Sequence, residues 1–232
     1  MQSWKSTLTY EKNFRNSALK TTAFHEELSH VAATDMGFSA LNILEEYPPD
    51  DLSSDGKGLN YGVELAYQHY LNRGLFYMLS GTLFDARYKT AGLSEWKNSH
   101  YNNQYILNAT IGKEFDFSNS EKQKVLGINF QIVYTGGFWE TPIDLAASRS
   151  AQRTIRTTDN LFSVQLPDVL KTYFRVYYKI NHSKRYSLIG LDLSNVLNQN
   201  NVSYRYFDPY LDQVVDKYQL GLIPMLSYVI RI

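Results

Sequence analysis

The sequence predicts an all-β protein: an antiparallel wall of about nine strands of the kind that forms a transmembrane β-barrel. Three observations carry that prediction. Apolar and polar residues alternate with period two in several separate segments, the signature of strands with one face in a different medium from the other. Connections between those segments alternate strictly between short and long, as in outer-membrane barrels. No run reaches the roughly 18 to 20 apolar residues of a membrane-crossing helix, so a membrane reading must use strands. The clearest segment is Leu126 to Tyr134, where Leu126, Ile128, Phe130, Ile132 and Tyr134 share one face and Gly127, Asn129, Gln131 and Val133 the other.

In chain order the strands are expected at about Lys5 to Lys12, Ala18 to Glu27, Tyr61 to Leu71, Phe76 to Arg87, Gln104 to Phe115, Val125 to Thr135, Tyr173 to Ile180, Tyr186 to Val196 and Leu222 to Ile232. Their lengths lie near the roughly 9 to 11 residues that a tilted membrane strand requires. Tyr61, Val63, Leu65 and Tyr67 oppose Gly62, Glu64, Ala66 and Gln68, and Phe174, Val176, Tyr178 and Ile180 oppose Tyr173, Arg175, Tyr177 and Lys179. The apolar sets are expected to face lipid and the polar sets the lumen, with Glu64, Glu114, Arg175, Lys179 and Asp192 among the latter. In Phe76 to Arg87 both faces carry apolar residues and in Ala18 to Glu27 the alternation is weak, so neither has an assigned facing.

The connections FRNS, LNRG, SNSEKQ and HSKR are short and polar, whereas Leu28 to Asn60, Tyr88 to Asn103, Gly136 to Thr172 and Leu197 to Gly221 are long. Every long loop therefore emerges at one end of the wall, the extracellular end of an outer-membrane barrel. A nine-strand count is odd where single-chain bacterial barrels are even, and the N-terminus lacks a basic stretch followed by an apolar core. The chain, residues 1–232, is accordingly expected to be one partial barrel, a segment of something longer.

Composition narrows the function classes. Lys plus Arg and Asp plus Glu both number 23, which argues against a nucleic-acid footprint. Cysteine is absent, which removes disulfides, thiolate catalysis and Cys-based zinc sites. No nucleophile–base pair or phosphate-binding glycine loop is present, so no enzymatic activity and no cofactor is expected. His25-Glu26-Glu27-Leu28-Ser29-His30 spaces its histidines five apart rather than the four that a helical zinc site needs, so it is read as a lumenal or loop-base polar cluster, with no metal. Glu45 to Asp51, with Asp55, lacks the spacing of a calcium loop and is read as a solvated loop. Tyr88, Tyr101, Tyr134, Tyr186 and Tyr228 are expected in aromatic girdles. The loop Gly136 to Thr172 holds Trp139, Arg149, Arg153 and Arg156, an aromatic ring plus guanidinium groups able to pair with an anionic ligand.

Four stretches carry a family resemblance: GKGLNYGVELAYQHYLNRGLFYMLSGTLFDARYK (Gly56 to Lys89), GGFWETPIDLAASRSAQR (Gly136 to Arg153), LDLSNVLNQNNVSYRYFDP (Leu191 to Pro209) and YQLGLIPMLSYVIRI (Tyr218 to Ile232). In that order they resemble the C-terminal barrel region of TonB-dependent outer-membrane receptors, most closely those of Bacteroidetes-type bacteria. The resemblance implies a 22-stranded barrel of the Gram-negative outer membrane, of which this chain supplies the last nine strands. It further implies a plug domain and remaining strands as partners, a TonB complex reached only through N-terminal parts outside this chain, and uptake of a scarce nutrient such as an iron chelate, vitamin or glycan. The family usually ends in an aromatic residue that marks the last strand for assembly; here the alternating Leu226, Tyr228, Ile230 and Ile232 stand in that place. The alternatives are a self-closed soluble lipocalin-like barrel holding a small ligand and an outer-membrane porin without a plug.

Overall fold

The computed structural model describes residues 1–42, 51–119, 122–182 and 185–231. Its strands are β1 (Gln2–Asn13), β2 (Ser17–Ala33), β3 (Ser53–Asn72), β4 (Leu75–Lys89), β5 (Lys97–Asn98), β6 (Tyr105–Asp116), β7 (Gln123–Thr135), β8 (Trp139–Glu140), β9 (Val164–Gln165), β10 (Val169–His182), β11 (Arg185–Ser194), β12 (Val202–Asp208), β13 (Gln213–Tyr218) and β14 (Ile223–Arg231). One short helix, α1 (Leu145–Ala151), and a 3-10 turn at Ala40–Asn42 complete the set. The fold is all-β. The long strands pair antiparallel in the order β1-β2-β3-β4-β6-β7-β10-β11-β14, a meander in which each strand lies beside its predecessor. Among the described residues the sheet is open, with β1 and β14 as its two edges.

Each expected strand overlaps one strand of this meander. The difference lies at the loop end of β2 and β3, where pairing continues through Val31↔Gly56 and Ala33↔Ser53. The expected loop Leu28 to Asn60 is therefore strand at both of its ends, over residues 28–33 and 53–60. Its sequence, SSDGKGLN on the β3 side, hides this because no apolar set alternates there. At the opposite end the β3–β4 hairpin turns on two residues, Arg73 at φ 50° and Gly74 at φ 76°. Positive φ at both positions suits a two-residue hairpin, and Gly takes its place there without a Cβ penalty.

Cross-strand register sorts the side chains into two faces. One transverse row runs Leu8–Ala23–Val63–Leu83–Tyr105, and another runs Ile128–Val176–Leu191–Leu226. This face is apolar along these middle rows and open to its surroundings, with Leu8 and Leu226 both 77% exposed, and toward the loop end it turns polar at Ser6, His25, Asp85 and Arg87. It includes Tyr77, Leu79 and Leu83 of β4 and Leu19, Ala23 and His25 of β2, which settles the two strands whose facing the alternation leaves open. The other face carries Thr22, Glu64, Thr82, Asn108, Gln131, Arg175 and Asp192 and is bound together by polar contacts. Arg175 pairs with Asp192 at 3.5 Å, Lys179 with Glu114 at 3.8 Å, and Gln131 Nε2 donates to Asn108 Oδ1 at 3.1 Å. A hollow lined by Lys5, Thr7, Thr22, Glu26, Asn60 and Glu64 lies on this polar side.

On the polar face, aromatic side chains pair with glycines of the neighbouring strand, and the rings of Phe24, Phe76 and Tyr177 occupy the space a Cβ would need there. Phe84 and Phe24 both pair with Gly62, Phe76 with Gly112 and Tyr177 with Gly127. A Cβ at Gly127 would fall 2.1 Å from the Tyr177 ring. The glycines thus let aromatic residues cover the sheet instead of projecting from it.

The strands are staggered. The hydrogen-bonded row that passes through Tyr10, three residues from the lower end of β1, reaches Leu170, twelve residues from the lower end of β10, six strands later. With roughly 3.3 Å per residue and 4.8 Å between strands, that climb corresponds to a tilt of about 45°.

Buried side chains gather at the loop end of the sheet. Val31, Ala33, Ala86, Tyr88, Leu166, Val169, Val202 and Phe207 are the buried apolar residues, and most buried polar residues lie in the same layer. Tyr88 is fully buried on the polar side and meets the edge of Phe162, so it is not a girdle residue. Tyr186 also faces the polar side, beneath the Arg231 guanidinium. Tyr134 and Tyr228 do lie on the exposed apolar face.

Candidate functional site in the loop layer

Four long connections fold over the polar face at one end and pack on each other. Asparagine amides hold them by standing in for peptide groups. Asn102 Oδ1 accepts from Ala86 N at 2.9 Å while its Nδ2 donates to Asp85 Oδ1 at 2.8 Å and Asn98 Oδ1 at 3.1 Å. Asn201 pairs with both backbone groups of Leu170, and Asn103 Nδ2 donates to Gly136 O at 2.6 Å. Buried loop backbone needs such partners because it has no ladder of its own. These asparagines are missing from the sequence reading; their signal is the density of Asn in NSHYNN and NVLNQNN.

Asn42 links the first loop to the second. Its Oδ1 accepts from Ser99 Oγ at 2.8 Å and from His100 N at 2.9 Å. His100 in turn carries its Nδ1 proton to Trp139 O at 2.7 Å, and its ring stacks on Phe138 with centroids 5.0 Å apart. Burial holds the His100 pKa below the ordinary imidazole range, against the opposing pull of the Trp139 carbonyl and the Glu140 charge. The neutral ring keeps a lone pair on Nε2. At the top of β10, hydroxyls of Tyr105 and Tyr134 donate to Asp168 and hold its carboxyl below the usual carboxylate range.

The structure gives the expected ligand residues separate tasks. Trp139 is half-buried in β8, where its Nε1 donates to Asn102 O at 2.7 Å. Arg149, in α1, donates from Nε to Asp212 Oδ1 at 2.8 Å and so ties the helix to the β12–β13 turn. Arg156 donates to Thr141 O at 2.6 Å and Arg205 O at 3.4 Å, with Glu140 Oε1 3.5 Å away. Arg153 alone projects into solvent without a side-chain partner among the described residues. The four are thus not assembled around one anion; three of them brace the layer. Leu226, Tyr228 and Ile230 line the exposed apolar face of the edge strand β14, and Ile232 lies outside the described residues.

His25 lies on the face that carries Leu8 and Val63, 3.8 Å from Glu27 and edge-on to Trp4, so of the two expected placements, lumenal or loop-base, its side chain is not on the polar face and sits toward the loop end of β2. His30 sits at φ 54° where the β2–β3 register slips. Among the described residues no group of His, Asp or Glu could hold a metal ion. Glu45 to Asp50 lie outside the described residues, and Asp51 and Asp55 are exposed. No described helix is long and apolar enough to cross a membrane.

The loop layer borders a half-open cleft of about 630 Å³ lined by Phe38, Asn42, His100, Glu140, Thr157 and Phe162, among others. That volume falls in the range of small-molecule sites, roughly 300 to 1,000 Å³. Compared with models of known families, with curated proteins and with solved structures, the chain matches none.

Proposed function

We propose that this chain is a wall segment of an outer-membrane β-barrel, the C-terminal part of a TonB-dependent receptor that takes up a scarce nutrient. One observation carries the reading: a single antiparallel sheet has a continuous apolar face open to its surroundings and a charged, hydrogen-bonded face behind it. Soluble monomers rarely leave so large an apolar patch in water. A lipocalin-like barrel requires the reverse, a polar outer face, whereas here the face open to the surroundings carries Leu8, Val63, Ile128 and Leu226 and the charged pairs Arg175–Asp192 and Lys179–Glu114 lie on the other.

The tilt of about 45° and the segregation of long connections to one end support the same reading. In hydrocarbon the open ladders of β1 and β14 need partners, because unpaired backbone groups cost several kcal/mol each. Remaining strands of a larger barrel supply them, and a plug would pack on the polar face. The loop layer then stands at the extracellular mouth, where a nutrient is first met. Energy coupling to TonB belongs to parts outside this chain.

The test is insertion into phospholipid vesicles from detergent, followed by flotation. The chain should float with the vesicles and resist a protease added outside, apart from its loops. A monomer that stays in the aqueous fraction without detergent contradicts the proposal.

A further inference from the structure

At the loop end of the exposed apolar face, the strand register brings charges and aromatic rings together. Trp4, Glu27, Leu59 and Arg87 form one transverse row across β1 to β4, and Lys57 and Lys89 stand directly opposite each other in the next row on the same face. Arg87 is answered by Asp85 at 2.9 Å. The Lys89 ammonium donates to Ser94 O at 2.9 Å, a contact that leaves its charge in place. Lys57 is exposed and has no hydrogen-bond or ion-pair partner among the described residues. Like charges directly opposite on one face of a sheet repel, so this lysine pair favours an anion beside it.

Next to Lys57 lies a half-open hollow of about 670 Å³. Its walls include Gln2, Trp4, Glu27, Ser29, Lys57 and Leu59, all on the exposed face by register, and Trp96 of the β4–β5 connection borders it as well. Glu27 reaches His25 at 3.8 Å and not Lys57, so the hollow presents one charge of each sign. An occupant of a single sign would answer one of them and meet its like in the other. An occupant that carries both signs answers both. The two indoles favour an ammonium on their faces, and tryptophan is a residue that settles at the headgroup level of a bilayer. From Leu59 the same face runs on through Tyr61, Val63 and Leu65, all exposed, toward the middle of the sheet. The occupant is therefore charged at the hollow and apolar along the wall.

We propose that this hollow holds the headgroup of a zwitterionic phospholipid, with the phosphate at Lys57, the ammonium beside Glu27 and the Trp4 and Trp96 rings, and the acyl chains along Tyr61 and Val63. Lys89 adds to the positive field at the phosphate, as basic pockets do for lipid headgroups elsewhere. The proposal rests on the membrane reading and adds to it a lipid preference that an apolar face alone does not supply.

The experiment is proton–nitrogen NMR on the labelled full chain in maltoside micelles, with dihexanoyl phosphatidylethanolamine and phosphatidylcholine as probes and dihexanoyl phosphatidylglycerol as the anionic control. The chain's three tryptophans give three indole N–H signals, assigned with Trp4→Phe and Trp96→Phe. A zwitterionic lipid should shift the Trp4 and Trp96 signals and leave that of Trp139, in the loop layer, in place. Lys57→Gln should weaken the binding about tenfold, the scale of one charge-assisted hydrogen bond. Glu27→Gln should weaken it similarly and raise the affinity for phosphatidylglycerol. Lys113→Gln, on the same face at the turn end, should change neither. The proposal is overturned if neither zwitterionic lipid shifts the two signals up to about 10 mM, if the shifts survive Lys57→Gln and Glu27→Gln unchanged, or if phosphatidylglycerol binds the parent chain more tightly than both. Vesicle flotation is read separately: insertion with unmoved Trp4 and Trp96 signals overturns the site and keeps the wall, and headgroup binding by a chain that fails to float keeps the site and overturns the wall.

Discussion

His100 sits where three loops meet, so its protonation state is felt by the whole layer. Its folded-state pKa is depressed by burial, which means that the neutral ring contributes stability above the unfolded value of about 6.5 and loses it as pH falls. Asp168 has the same sign in a lower window: its depressed pKa stabilises the fold above about pH 4, and that contribution disappears with further acidification. Proton NMR titration of the His100 ring should give a midpoint below 6.5; a midpoint at or above it contradicts the buried, neutral assignment. Asn102 is the second residue to test. Asn102→Ala strands the Ala86 N–H and releases Asp85 and Asn98, for an expected loss of roughly 1 to 3 kcal/mol. Denaturant titration followed by tryptophan fluorescence in a Trp4→Phe, Trp96→Phe background reads it, because the remaining Trp139 bonds through Nε1 to the Asn102 carbonyl.

Among the elements, β7 and β10 show how the polar face is kept smooth. Tyr177 covers Gly127 and sends its hydroxyl to Glu114 Oε1, which also lies 3.8 Å from Lys179. Gly127→Val therefore displaces the ring and breaks that contact, with an expected cost of about 1 to 3 kcal/mol by overpacking. Gly127→Val combined with Tyr177→Ala should recover part of the loss, and a double-mutant cycle without coupling refutes the pairing. This pair also shows where the sequence is readable and where it is not. Leu126 to Tyr134 reveals its strand because every second residue is apolar; the segments that share this property map onto the meander, and so do Ala18 to Glu27 and Phe76 to Arg87, which lack it. The upper part of β3 has no such pattern, since Gly58 there is covered by Leu28 and Leu41 and burial comes from residues distant in sequence. The same distance hides the site. Arg149 reads as a free guanidinium group because its partner Asp212 lies 63 residues away, and Arg156 because its shortest bond goes to a backbone carbonyl, Thr141 O, which no side-chain pattern announces.

For the whole molecule, the packed interior is not in the sheet but in the loop layer, and the sheet itself offers one apolar and one polar face. In a membrane that division is the source of stability, whereas in water it exposes the rows through Val63 and Ile128. Ile128→Arg or Val176→Arg should therefore weaken insertion by about 2 to 4 kcal/mol near the midplane, while Gln131→Arg on the opposite face should be tolerated. The division can be read residue by residue, because the chain has no cysteine and any cysteine introduced is unique. The most direct measurement places single cysteines along Leu126 to Tyr134 in vesicle-inserted protein and carries a polarity-sensitive fluorophore on each. Quenching by lipid-borne spin labels should be strong at 126, 128, 130 and 132 and weak at 127, 129, 131 and 133, with the reverse order for a water-soluble quencher. Equal quenching at both sets, or the opposite alternation, would contradict a wall whose apolar face meets lipid.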